Sequence, residues 1–301
     1  MSEIWTLPPH FQTQFDDSWH EIMAQQTEHR LAGTYTTDTI VGKDKRFDQF
    51  GSATSTMRLR TARAAPSLPT DIATAFRWVR LNPYDETTWY DELDPQALGR
   101  LPSPDGPAVR HHAIVANRNK DIVLINQMVG TNYTGSAGTT ATTFDLTNQL
   151  VGVAFGNNGV NCGLTLKKLT QAAYILDVNE VVDEERYFGY SAKELNNLLT
   201  NVDQVANYLY NDVRALRDAK VRDFAGFTFK RTELFPVASS VRSCVAWQKK
   251  YLLMATGEDI KTRIDILPTH SHAIQIRTTM LLDAMRWEEK GFVMINCDES
   301  A

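Results

Sequence analysis

The residues best suited to chemistry fall into a few groups, and each lacks a partner that a reaction or a ligand needs. The glycine-rich run from Gly152 to Gly163 precedes a helical pattern, as phosphate-cradling loops do. It has neither the Gly-Lys-Ser/Thr ending of a P-loop nor the spacing of a dinucleotide fingerprint, so a turn is expected. His270 and His272 are spaced to share one face of a strand, and His111 and His112 fall in a helical pattern. Neither pair has a carboxylate or third ligand at metal-binding spacing. Ser191, Ser240 and Ser243 lack a nucleophile-elbow context, and Cys244 lies in an apolar strand pattern with no nearby His. The clusters Asp183-Glu184-Glu185 and Glu288-Glu289 have the composition for acid–base work but read as solvated ends of elements. No catalytic residue, cofactor or metal is expected.

Composition points the same way. Cys162, Cys244 and Cys297 are odd in number and widely separated, without CxxC spacing, and are expected to be reduced, packed thiols. The 301 residues carry 31 Lys and Arg against 36 Asp and Glu, a net charge of −5. That balance argues against a protein whose main task is gripping nucleic acid, though it suits a wall around it. No run approaches the roughly 18 apolar residues of a membrane helix, and the start lacks the pattern of a signal peptide. The chain is expected to remain in the cytoplasm where it is made.

The elements that must position these residues follow from periodicity. Phe11, Phe15, Trp19, Ile22 and Met23 predict an amphipathic helix over 10–32. From Gly33 to about Thr74 the chain is Thr- and Gly-rich, with period-two stretches such as Met57-Arg58-Leu59-Arg60. Such a ribbon has almost no core of its own, and an isolated ribbon is marginal in water, so something else must cover it. Phe76, Trp78 and Leu81 alternate with Arg77 and Arg80, and the chain then turns acidic. A long helix is expected over 108–129, then a Gly/Thr/Asn-rich link over 130–163. Further on come a helix over 165–177, a strand over 186–191, a helix capped by a Ser191/Glu194 box, a helix near 203–217 and a strand over 223–232. Residues 258–272 read as a link before two final strands near 272–279 and 281–295. Beyond the 130–163 link the alternation of helices and strands reads as a regular α/β module.

Charge is distributed in opposite blocks. Lys43, Lys45, Arg46, Arg58, Arg60 and Arg63 stand against only Asp44 and Asp48, whereas Asp85, Glu86, Asp91, Glu92, Asp94 and Asp105 stand against only Arg100. Opposite patches of this kind can steer association and fix register, although two solvated faces would look the same.

The order of these elements resembles the major capsid proteins of tailed phages with the Hong Kong 97-type shell fold. The resemblance rests on FQTQFDDSWHEIMAQQTEHRL (11–31), the Gly-punctuated ribbon ending near Ala65, DETTWYDELD (85–94) and ANRNKDIVLINQMVG (116–130). It continues through residues 164–199, DFAGFTFKRTELFPV (223–237) and residues 244–295, covering nearly the whole chain without any catalytic signature. It implies an α+β fold with an N-terminal arm over 1–32, an extended β-hairpin loop over 33–80, a peripheral domain over 81–139 and 269–301 with a long spine helix, and an axial domain over 140–268.

The resemblance also implies an icosahedral head enclosing double-stranded DNA without sequence-specific binding. The subunits would form hexamers and pentamers, assembled in the host cytoplasm and resident in the virion. Scaffolding, portal and decoration proteins are the implied partners, with a separate scaffold because the N-terminal segment is short. In such shells the extended loop lies across a neighbouring subunit. On that basis Arg58, Arg60 and Arg63 are expected to dock on Asp85, Glu86, Asp91 and Glu92 of a neighbour. An encapsulin-like compartment is the alternative implied by the same fold, and a small soluble enzyme built on residues 164–268 is the competing class.

Overall fold

A computed structural model describes residues 28–51, 59, 60, 63, 72, 74–90, 107–200 and 223–300. The first half holds β1 (Thr36–Thr39), β2 (Asp44–Phe50), β3 (Thr74–Arg80), β4 (Asn82–Tyr90), helix α1 (Pro107–Val129), β5 (Asn132–Thr134), β6 (Thr140–Thr142) and β7 (Leu150–Val151). The second half holds α2 (Leu166–Val178), β8 (Arg186–Tyr190), α3 (Ala192–Thr200), β9 (Asp223–Phe224), β10 (Phe227–Arg231), β11 (Val237–Ala238), β12 (Val241–Gln248), β13 (Leu252–Leu267), β14 (Ala273–Arg286) and β15 (Phe292–Asp298). The expected helix over 10–32 falls outside the described residues up to residue 27, and the helix near 203–217 lies outside them entirely. Among the described residues no helix is long and apolar enough to cross a membrane.

The strands form three sheets, ordered β1-β13-β14-β4, β7-β15-β12-β8-β10-β9, and β2-β3-β5-β6, with β11 paired to β12. Residues 258–272 are not a link. They complete β13, which pairs with β14 from Leu252 opposite Arg286 to Leu267 opposite Ala273. The polar, exposed composition that suggests a link is the composition of a ribbon solvated on both sides, where backbone pairing rather than burial holds the strand. The hairpin turns through Ser271 and His272, at φ of 51° and 56°. His270 and His272 therefore lie in a turn and share no strand face. The final strands also differ from expectation: β14 runs on to Arg286, and β15 joins β12 and β7 in the seven-stranded sheet rather than following β14.

Each layer has a sequence cause. Helix α1 starts on Pro107, whose missing N–H is unneeded in a first turn. It buries Ala116, Val123, Leu124, Ile125 and Met128 against β13 and β14. Asp121 is also fully buried on that face. Its oxygens accept from the backbone N–H groups of Arg30 and Leu31, both at 3.0 Å, and lie 2.7 Å from His29 Nδ1, pinning the incoming chain to the helix. Helix α2 is capped by Thr165 and packs Leu169, Ala172 and Leu176 on the seven-stranded sheet. The Ser191/Glu194 capping box forms: Ser191 N–H donates to Glu194 Oε2 at 3.1 Å, and Ser191 Oγ accepts from Lys193 N–H at 3.2 Å. A third cluster, Ile40, Val79, Leu81, Leu253, Ala255 and Met285, sits at the root of the β2–β3 ribbon.

Asp283 on β14 is buried, accepting from the Ala284 N–H at 2.8 Å and Gln127 Nε2 at 3.3 Å. Burial raises its carboxyl pKa from 3.8 to about 6. The folded state thus holds this proton more tightly than the unfolded chain, and the resulting stability is present below pH 3.8 and lost as pH rises through about 6. Replacing Asp283 with Asn is expected to stabilise the subunit by roughly 2–3 kcal/mol at pH 7.5 and by almost nothing at pH 4. Urea denaturation of both proteins at the two pH values measures the difference, and an equal effect at both would refute it.

Candidate subunit interface

The ribbon is anchored at one end. Phe47 packs edge-on against Trp287 at 5.1 Å, and Gln49 Nε2 donates to the Trp287 carbonyl at 3.3 Å. Arg77 donates through both terminal nitrogens to Glu289, at 3.2 and 3.1 Å, where the side chains are only 11% and 19% exposed. Glu289 is therefore not a solvated helix-end carboxylate, because the fold brings a residue 212 positions away onto it. The coreless ribbon of the sequence reading has a packed root, while apolar side chains further out lack cover: Phe50 is 78% exposed and Leu59 82%. Replacing Glu289 with Gln breaks the bidentate pair, and the expected loss is about 1.5–3 kcal/mol. Hydrogen exchange should show β2 and β3 opening preferentially, whereas uniform loss across the subunit would refute the anchoring role.

The basic block divides along the ribbon. Lys45 pairs with Asp38 and lies over the Phe47 ring, and Arg46 pairs with Asp48 at 2.9 Å and stacks over Phe76. Arg60 and Arg63 are exposed and pair with no carboxylate among the described residues. Arg58 lies outside the described residues, as does Met57, while Leu59 and Arg60 are not in a strand.

The acidic segment starts on β4. Asp85 and Glu86 point to opposite faces of that strand, as period two requires. Asp85 lies 3.5 Å from Arg277 with both side chains more than half exposed, a screened pair that leaves the carboxylate open to a second cation. A groove of about 220 Å³ runs between β4, β14 and α1, lined by Glu86, His112, Arg118, Ile122 and Met280 among others. His112 is buried and shares a 2.8 Å hydrogen bond with Thr88 Oγ1, and burial lowers its pKa, keeping the ring neutral. Asp91 and Glu92 lie outside the described residues. No ion pair joins Arg60 or Arg63 to Asp85 or Glu86 among the described residues of one subunit.

The other candidate residues do not converge on a reaction. The Gly152–Gly163 segment is a series of turns closed by Cys162 N–H on the Val153 carbonyl at 3.2 Å. The three cysteines are free and buried. The Cys244 thiol is pushed well above its ordinary pKa by its hydrogen bond to Cys297 and by burial, the opposite of an activated nucleophile.

A model of the phage capsid protein family matches residues 7–299. The chain belongs to that family. It is a major capsid protein, a structural subunit of the phage head shell, and its place is the virion. No curated protein matches it. The capsid subunit of cyanophage P-SCSP1u is 14% identical, with a TM-score of 0.69 over 95% of this chain and 92% of that one. The head protein of Helicobacter pylori bacteriophage KHP40 is 8% identical, with a TM-score of 0.70 over 97% of both chains. An encapsulin from Synechococcus elongatus is 10% identical, with a lower TM-score of 0.59 over 94% of both. At such identities the likeness is one of fold, the Hong Kong 97-type shell fold.

Proposed function

We propose that this capsid subunit closes into an icosahedral head around double-stranded DNA, as hexamers and pentamers in which the ribbon of one subunit lies on its neighbour. The observation carrying this reading is the ribbon itself: rooted by Phe47 and the Arg77–Glu289 pair, it extends exposed apolar and cationic residues that its own subunit leaves uncovered. Arg58, Arg60 and Arg63 dock on the segment of Asp85, Glu86, Asp91 and Glu92. Opposite charge favours that register and disfavours ribbon-to-ribbon contacts.

Residues 1–32 serve as the arm and 33–80 as the extended loop. Residues 81–139 and 269–301, with α1, form the peripheral domain and residues 140–268 the axial domain, a division that two strands cross: β13 pairs with β14, and β15 pairs with β12 in the seven-stranded sheet. Assembly proceeds in the host cytoplasm on a separate scaffolding protein, with a portal at one vertex and decoration proteins outside, and the subunit catalyses no reaction. Electron microscopy of the expressed protein tests this: closed shells of uniform size are expected, and small oligomers under all assembly conditions would count against it. The likeness to an encapsulin supports a second reading, a compartment for protein cargo, and the nucleic-acid content of shells purified from infected cells separates the two.

A further inference from the structure

Three side chains far apart in sequence meet in the core beneath α3. Glu194 lies in the first turn of α3, Cys244 on β12 and Cys297 on β15, and all three are fully buried. Their ligand atoms lie within 4.8 Å of one another. The pairing of β12 with β15 explains the meeting of the thiols. Cys244 stands opposite Ile295, so Cys297 is its diagonal neighbour on the same sheet face.

The carboxylate is the informative member. Its Oε2 atom accepts the Ser191 backbone N–H at 3.1 Å, as a capping box requires, and also accepts from the Ser191 hydroxyl. Its Oε1 atom is buried and has no hydrogen-bond partner in the structure. The Arg242 guanidinium lies 3.9 Å away, beyond hydrogen-bond distance and engaged with Glu299, so this buried carboxylate oxygen facing two sulfurs is left without a donor, which is costly.

We propose that Glu194, Cys244 and Cys297 bind a thiophilic divalent cation, Zn²⁺ in the first instance, through Glu194 Oε1 and the two cysteine sulfurs. Carboxylate oxygen and thiolate sulfur sit about 2.0–2.3 Å from zinc, which places tetrahedral ligands roughly 3.5–3.8 Å apart, inside the span of these atoms. Uptake releases the two thiol protons to solvent. Two thiolates, one carboxylate and the dication leave one net negative charge, which faces the Arg242 guanidinium, whose Nε lies 3.9 Å from Glu194 Oε1. Three protein ligands leave a fourth position for water. The bound ion ties α3 to β12 and β15.

The test uses full-length subunit, reduced, freed of metal and titrated with Co²⁺. A sulfur-to-cobalt charge-transfer band in the near ultraviolet is expected to saturate at one ion per chain and to disappear when Zn²⁺ is added. Cys162→Ser should leave the band intact, because that thiol points instead at the Val153 and Phe155 carbonyls. Cys244→Ser and Cys297→Ser should abolish it, and Glu194→Gln should weaken binding at least about tenfold. Failure of wild type and Cys162→Ser to develop the band overturns the proposal, as does a band that survives Cys244→Ser. A Cys244–Cys297 disulfide that forms in air, with no Co²⁺ uptake after reduction, overturns it in favour of a redox pair. Wild type and Cys162→Ser leave the cluster unaltered, so a misfolded cluster variant does not remove the test. Shell formation without the ion would leave the proposed function untouched.

Discussion

Reversing Arg58 and Arg60 to Glu is expected to abolish closed shells while leaving a folded, soluble subunit. Arg60 is exposed and pairs with no carboxylate among the described residues, so its replacement breaks no ion pair with them. Folding stability should change by no more than about 0.5 kcal/mol, as for most surface substitutions. Assembly answers differently. Each reversed side chain would meet the Asp85 and Glu86 region of a neighbour, and like charges juxtaposed across an interface cost several kcal/mol. The penalty recurs at every subunit, so closed shells should fall below detection in electron micrographs while circular dichroism and denaturation midpoints match wild type.

A complementary pair sharpens the experiment. Subunits carrying Asp85→Lys and Glu86→Lys should also fail alone, and mixing them with the Arg58→Glu, Arg60→Glu subunits should restore mixed shells. Normal shells from the arginine variant would exclude this docking register and leave the capsid assignment standing. Recovery only at low ionic strength would also contradict it, since screening weakens repulsion as salt rises.

Trp247→Ala is expected to cause the largest loss of stability in the subunit, about 3–5 kcal/mol. Trp247 is the largest fully buried side chain among the described residues, and its indole N–H donates to the Thr34 carbonyl at 3.0 Å. It therefore ties β12 to the chain just before β1. The packing leaves little room for relaxation. A Cβ on Gly189 of β8 would lie 2.2 Å from the Phe235 ring and 3.2 Å from Trp247, so both rings already close directly on backbone. Removing the indole opens a cavity and orphans a buried carbonyl. Trp247→Phe keeps much of the volume but loses the donor, and should cost only about 1–3 kcal/mol. Denaturant titration of unassembled subunits separates the two variants. Equal losses would mean that the hydrogen bond, not the ring, dominates.

Local signals in the sequence were reliable wherever one short segment contained all the determining residues. The long α1 helix, the Thr165-started α2 and the Ser191/Glu194 box follow from apolar spacing and capping chemistry, and they appear with bounds within a residue or two of expectation. The strand over 186–190 likewise carries its own pattern, whereas the single strand expected over 223–232 is a hairpin of β9 and β10, turned through Ala225 and Gly226 at positive φ. The family was legible for a related reason: order and spacing of elements persist along nearly the whole chain.

What the sequence could not fix were relations between distant segments. Residues 258–267 look like a link because nothing local distinguishes a solvated strand from a loop; the partner is β14, and only the ladder defines it. Glu288-Glu289 reads as two solvated charges until the ribbon brings Arg77 onto Glu289. Cys244 and Cys297 show no motif because antiparallel pairing, not spacing, makes them neighbours, and the helix above delivers Glu194. By itself the sequence determined the family and with it the α+β class, the places of α1, α2 and α3, and the segregation of basic and acidic blocks, all of which lie in composition, short-range periodicity or the order of elements. Tertiary structure alone decided which charges are spent within the subunit, such as Lys45 and Arg77, and which, such as Arg60 and Arg63, are left exposed. Pairing between strands depends on the path of the whole chain, and no window of sequence contains it.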